Sequence, residues 1–146
     1  MKSEFDIELN TLYIGEKRRV VTVGLNGKDE ADRFIRKLIR KDPDSWNQIA
    51  TRIVSISNYD RYENQTTFRS VGNGIFEFKR PGTRLYSFYD EIGGELQLIL
   101  CTNGGGKGTK KEQQADIEKA KQIRKRYMEM KTKPDTRFRL NQDPML

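Results

Sequence analysis

The chain has 146 residues, with 28 Lys or Arg against 21 Asp or Glu, for a formal charge of +7. That length suits one domain with its own core. A single cysteine excludes a disulfide framework and a multi-cysteine zinc site, and the absence of histidine excludes a histidine triad, a histidine acid or base and a histidine-ligated metal. No apolar run approaches the roughly 18 residues that cross a bilayer. Met1-Lys2 leads into acidic and polar residues, not a signal segment, so a cytoplasmic location is expected. The basic surplus favours a polyanionic partner held by Lys and Arg.

Residues 1–17 form an N-terminal extension in which Phe5, Ile7 and Leu9 alternate with polar residues, a pattern that allows an extra edge strand. Arg18 to Leu25 carries Val20, Val21 and Val23 and ends at Asn26-Gly27, which predicts a strand. Ala31, Phe34, Ile35, Leu38 and Ile39 recur at helical spacing. Asp42 is placed to cap a second helix, with Pro43 at its first position. Trp46, Ile49, Ala50, Ile53 and Ile56 then supply that helix's apolar stripe. The two helices read as a hairpin facing one sheet, with Trp46 as an anchor.

Residues 58–73 are polar and read as irregular, although they hold Arg61, Arg69 and Phe68. Three strand signals follow at Ile75–Arg80, Arg84–Tyr89 and Glu95–Thr102, with turns at Pro81-Gly82 and at residues 90–94. Asn103 to Gly108 reads as a glycine-rich loop between strand and helix. It is not a phosphate-binding Walker loop, because Gly108 follows Lys107 and Cys101 stands where the first glycine belongs. Thr109 and Glu112 match a capping box for a helix over 110–131, whose buried side is Ile117, Ala120, Ile123, Tyr127 and Met130. Residues 132–146 show no period and read as a mobile tail. The order is therefore β-α-α-β-β-β-α, an α+β fold with a helical hairpin and a C-terminal helix packed on a mostly antiparallel sheet.

Within the hairpin 75–89, period two puts Glu77 and Lys79 opposite Phe76 and Phe78, with Arg84 across the turn and Tyr86 on its face. Arginine grips phosphate and rings stack on unpaired bases, so this face suits RNA. An ordinary cross-strand ion pair of Glu77 with Lys79 or Arg84 accounts for the same spacing. Lys107, Lys110 and Lys111 form a cationic tip at the start of the last helix. Cys101, flanked by apolar residues, reads as a small core residue, and the cations of 119–131 as a solvated face.

The segments Gly74-Ile75-Phe76-Glu77-Phe78-Lys79, Thr83-Arg84-Leu85-Tyr86, Leu98-Ile99-Leu100, Lys107, Lys110-Lys111, Asp116-Ile117-Glu118-Lys119-Ala120 and Tyr127 follow one another over residues 18–131. In order and spacing they resemble the RelE/ParE toxin superfamily, closest to its HigB-like, phage-derived branch. The resemblance implies a type II toxin–antitoxin toxin, a ribosome-dependent mRNA endonuclease (mRNA interferase). Its partners would be a cognate antitoxin, the 30S A site and mRNA, and it would use no cofactor and no metal. The 2′-hydroxyl would attack its adjacent phosphate. Carried over by position, Arg84 would hold the scissile phosphate, Lys79 is the preceding strand's cation and Glu77 would be the general base. Lys107 or Lys110 would protonate the leaving oxygen, with Arg80, Tyr86 and Lys111 as RNA contacts. The triple glycine departs from the family's usual Phe-x-Lys-Lys segment, and no terminal catalytic Tyr or His is evident. Two other functions fit the same fold: a ParE-like inhibitor of DNA gyrase, and a non-catalytic RNA-binding or phage accessory protein.

Overall fold

A computed structural model describes residues 5–59, 68–91, 97–106 and 108–146. Strand β1 (Asp6–Ile14) turns antiparallel into β2 (Arg18–Leu25), and the Asn26-Gly27 turn leads into helix α1 (Glu30–Lys41). Asp29 caps α1 by accepting from the Asp32 amide, and Asp42 caps α2 (Pro43–Asn58) by accepting from the Ser45 amide. Strands β3 (Phe68–Gly72), β4 (Ile75–Arg80), β5 (Thr83–Glu91) and β6 (Gln97–Gly106) form an antiparallel meander. Helix α3 (Lys110–Lys131) follows, its N-cap Thr109 accepting from the Glu112 amide, and β7 (Arg137–Asn141) comes last.

Among the described residues these strands make one seven-stranded sheet, ordered β3-β4-β5-β6-β2-β1-β7. The β2–β6 and β1–β7 pairs are parallel and the other four are antiparallel. The α+β class and the mostly antiparallel sheet agree with the sequence reading. The element order does not, because three strands join the expected series: β1 in front, β3 within residues 58–73, and β7 after α3.

The helices divide between the two faces. Ala31, Ile35, Trp46, Ile49, Ile53 and Ile56 of α1 and α2 pack on Val20, Phe78, Leu85, Ile99 and Cys101. Ala120, Tyr127 and Met130 of α3 pack on Val21, Val23, Tyr86, Phe88 and Leu100. Each such aliphatic or aromatic side chain contributes on the order of 1.5–3 kcal/mol. Strand β2 is covered on both sides, which explains why its valines run consecutively instead of alternating.

Two terminal expectations change. Strand β1 is not an edge strand, because β7 lies outside it in parallel register from Asp6↔Arg137 to Asn10↔Asn141. The segment expected to be mobile is thus tied down. Arg139 bridges Asp6 and Glu8 at 2.8 Å each, and the Phe138 ring packs on Tyr127. Backbone amides of Met145 and Leu146 donate to Thr11 and Leu12 carbonyls. Phe138 and Leu140 do alternate with Arg137, Arg139 and Asn141, but the pattern spans only five mostly exposed residues, and the sequence reading passed over it.

The expected glycine-rich loop is also a strand for most of its length. Gly104, Gly105 and Gly106 continue β6 and pair with Leu85, Arg84 and Thr83. The first two are glycines because helices crowd both faces. A Cβ on Gly104 would strike the Phe34 ring from α1, and one on Gly105 would strike the Asp116 carboxylate from α3. At Gly106 the nearest atom would be the Gly82 carbonyl oxygen, 3.9 Å away.

These contacts give two expected outcomes. Gly104→Ala should cost about 1–3 kcal/mol in urea denaturation, as overpacking does, with Gly106→Ala near zero. Equal effects at both positions would sink the close-approach explanation. The second concerns Asp90, which accepts from Tyr127 Oη at 2.6 Å and Lys131 Nζ at 2.8 Å. Burial pushes the Asp90 carboxyl up, but these bonds outweigh it and hold the group below 3.8. Its contribution is present above that value and is lost as pH falls through the lowered folded value. Tyr127→Phe should therefore lose about 1 kcal/mol at neutral pH and show a shallower acid loss than wild type.

Candidate nucleic-acid interface

A bulge in β6 decides what faces α3. Tyr86 pairs with Asn103 while Ser87 pairs with Cys101, so Thr102 is the extra residue. Its hydroxyl bonds to Asn103 Oδ1 at 2.7 Å and the Tyr86 carbonyl at 3.3 Å. Beyond the bulge the alternation flips, turning Asn103 and Gly105 toward α3. Asn103 Nδ2 then donates to the Asp116 carbonyl at 3.0 Å, which fixes the start of α3 over β5 and β6.

Beside α3, on the same sheet face, the registers Arg69↔Glu77, Glu77↔Tyr86 and Lys79↔Arg84 bring four expected residues and one unexpected one together. Glu77 is 3% exposed and lies between two guanidiniums. Arg69 Nε meets one carboxylate oxygen at 2.7 Å, and Arg84 Nε meets the other at 3.5 Å. Arg84 is also held by backbone, donating from Nη1 to the carbonyls of Arg80 and Thr83 at 2.7 and 3.0 Å. Of the two ion pairs that spacing allowed for Glu77, the one with Arg84 is present and the one with Lys79 is not; the pair is buried, and Arg69 joins it. Lys79 has no ion-pair partner among the described residues, so the cluster sets three cations against two carboxylates, Glu77 between the arginines and Asp116 over Gly105. Tyr86 is buried beside it. Burial, with the negative charges of Glu77 and Asp116 behind it, pushes its hydroxyl up to about 12, so it stays protonated at neutral pH.

The other expected residues lie elsewhere. Arg80 faces the opposite side and donates to Ser45 Oγ at 2.5 Å and Gln48 Oε1 at 3.1 Å, tying β4 to α2. Lys110 and Lys111 are exposed in the first turn of α3, and Lys107 lies outside the described residues. The Tyr86 ring sits in the core under α3, so the face that a base would stack on is covered.

Arg69 is the residue that sequence reasoning passed over, inside a stretch read as irregular. The signal that finds it is the turn Gly72-Asn73-Gly74, which pairs Phe68–Gly72 with the next strand as a hairpin. Two further groups, half-buried Asp29 and buried Cys101, have structural roles. Asp29 accepts from Thr22, Asn10 and the Asp32 amide, and burial pushes its carboxyl up. Cys101 is fully buried, and burial pushes its thiol far up, away from nucleophilic chemistry. Among the described residues no group of three or more metal-ligating side chains is placed to hold an ion, and no helix is long and apolar enough to cross a membrane.

No protein-family model, curated protein or solved structure matches the chain.

The clamp makes a stability prediction. Glu77→Ala should cost about 3 kcal/mol in chemical denaturation, because it strands the enclosed Arg84 guanidinium. Lys79→Ala should stay within about 0.5 kcal/mol. A near-neutral Glu77→Ala would mean that water replaces the carboxylate and that the clamp contributes little.

Proposed function

We propose that this protein is the toxin of a type II toxin–antitoxin system and acts as a ribosome-dependent mRNA endonuclease. The observation that carries this reading is the cation surplus around Glu77: Arg69, Lys79 and Arg84 converge on one strand face beside the helix that starts with Lys110 and Lys111. Supporting it, the expected segments from Arg18 to Lys131 occur in the expected succession, with β3 added among them. A surface of this kind neutralises phosphates and positions a strand for in-line attack.

In the proposed reaction the 2′-oxygen bonds to the adjacent phosphorus and the P–O5′ bond breaks. The products are a 2′,3′-cyclic phosphate and a 5′-hydroxyl. Arg84 neutralises charge on the phosphate, and Lys79 adds to that stabilisation. Lys107 or Lys110 supplies the proton to the leaving oxygen, with Lys111 on the strand's phosphates. Glu77 as base would have to release at least one guanidinium before accepting the 2′-hydroxyl proton. That requirement favours a second reading on the same fold, RNA binding without cleavage. The partners proposed are a cognate antitoxin, the 30S A site and mRNA, in the cytoplasm.

The test is inducible expression in bacteria with mRNA 5′ ends mapped soon after induction. New cuts within translated codons are expected, with about a hundredfold or greater loss in Arg84→Ala, the scale of losing a transition-state charge contact. Growth arrest without cuts would move the assignment to gyrase inhibition. Soluble protein without arrest would move it to the binding module.

A further inference from the structure

The Glu77 clamp is built unevenly, and the unevenness singles out Arg69. Arg84 is 14% exposed and is satisfied by Glu77 and two backbone carbonyls. Arg69 is 39% exposed and meets Glu77 through Nε at 2.7 Å. Among the described residues its terminal nitrogens have no hydrogen-bond partner. A guanidinium offers five N–H donors in a fixed fork, so engaging Nε at one carboxylate oxygen aims the remaining edge without using it. Lys79, on the same face and without an ion pair among the described residues, leaves the neighbourhood positive.

We infer that Arg69 is a phosphate-gripping residue for single-stranded RNA and that Glu77 is its positioning residue. Glu77 sets the direction of the Arg69 fork and screens Arg69 from the fixed Arg84 guanidinium. A phosphodiester then meets the outer edge of Arg69 while Arg84 stays anchored below. This inference rests on the nucleic-acid reading of the face but not on cleavage.

The experiment is fluorescence anisotropy of a short fluorescein-labelled, mixed-sequence single-stranded RNA with the whole protein, titrated across a salt series. Wild type should bind with a negative slope of log K against log salt. Arg69→Gln should make that slope less negative by about 0.7, the loss of one single-strand phosphate contact, and weaken binding about tenfold at moderate salt. Arg69→Lys should keep the slope and still bind several-fold more weakly, because a point charge replaces the fork. Glu77→Gln should change affinity about threefold or more in the wild-type background and leave the Arg69→Gln background unchanged, the mark of action through Arg69.

A melting curve matched to wild type qualifies each variant. If Arg69→Gln melts below the assay temperature, Arg69→Lys decides, and wild-type affinity in that variant overturns the inference. An unchanged slope in folded Arg69→Gln overturns it too, as does an equal Glu77→Gln effect in both backgrounds. RNA binding by wild type with any of these results overturns this inference and leaves the nucleic-acid reading standing. Absence of RNA binding by wild type overturns the nucleic-acid reading itself, and this inference with it.

Discussion

The parallel pairing of β2 with β6 is the constraint on which the rest depends. It runs from Arg18↔Gln97 to Thr22↔Cys101 and joins strands almost eighty residues apart. Without it the sheet falls into two pieces, β7-β1-β2 and β6-β5-β4-β3. Parallel strands demand a crossover, and the chain between these two supplies α1 and α2 on one face before the meander returns. Helix α3 then closes the other face. Val20 to Leu25 and Leu98 to Asn103 are buried throughout, so both central strands are held by packing from two sides as well as by the ladder. Arg18 secures the open end of the pair, donating from Nε to Gln97 and from Nη1 to the carbonyls of Ile56 and Tyr59.

One extra residue in β6 converts this frame into a site. Before Thr102, Leu98 and Leu100 face α3. Past it, Asn103 and Gly105 do. The polar end of the sheet is therefore offered to the start of α3 instead of its apolar middle. Gly105 admits the Asp116 side chain, and Gly104 admits the Phe34 ring on the other side. The same narrowing lets β5 continue to Thr83, which sets Arg84 level with Lys79 and diagonal to Glu77. A side chain at Gly104 would push α1 away from the sheet, so the glycines act through close packing and not through flexibility.

The helices were legible because their signals are local. The Asp42-Pro43 boundary, the Thr109 cap and the apolar stripe of Trp46, Ile49, Ile53 and Ile56 all lie within a few turns of chain. The Glu77 and Arg84 contact was legible for the same reason, since a tight turn at Pro81-Gly82 fixes the register of β4 and β5. What escaped depends on distant partners. Residues 137–141 become a strand because β1 offers a free edge, and residues 104–106 become one because β5 runs alongside. Composition alone cannot tell a glycine that must bend from a glycine that must be thin. Arg69 escaped through its neighbours, for the polar run before Phe68 masked a five-residue strand.

The electrostatics of the face limit the chemistry it can host. A carboxylate wedged between two guanidiniums, with both oxygens engaged, is most useful as a charge that holds other charges in place. Proton abstraction asks for a carboxylate oxygen free to meet the 2′-hydroxyl. With no histidine anywhere in the chain and Cys101 sealed in the core, the other carboxyl at this face is Asp116, which lies over Gly105 and which burial pushes up. Tyr86 is held protonated by burial and by its acidic neighbours, which makes it a support or a hydrogen-bond donor and not a base. Cleavage here would draw on geometry and cationic stabilisation: a phosphate gripped by arginine, a 2′-oxygen aligned with the leaving bond, and lysines near the departing oxygen. A surface of that kind accelerates little until something else bends the RNA into line. A toxin that acts only on ribosome-held mRNA would satisfy that condition, because the ribosome orders the strand before the protein touches it.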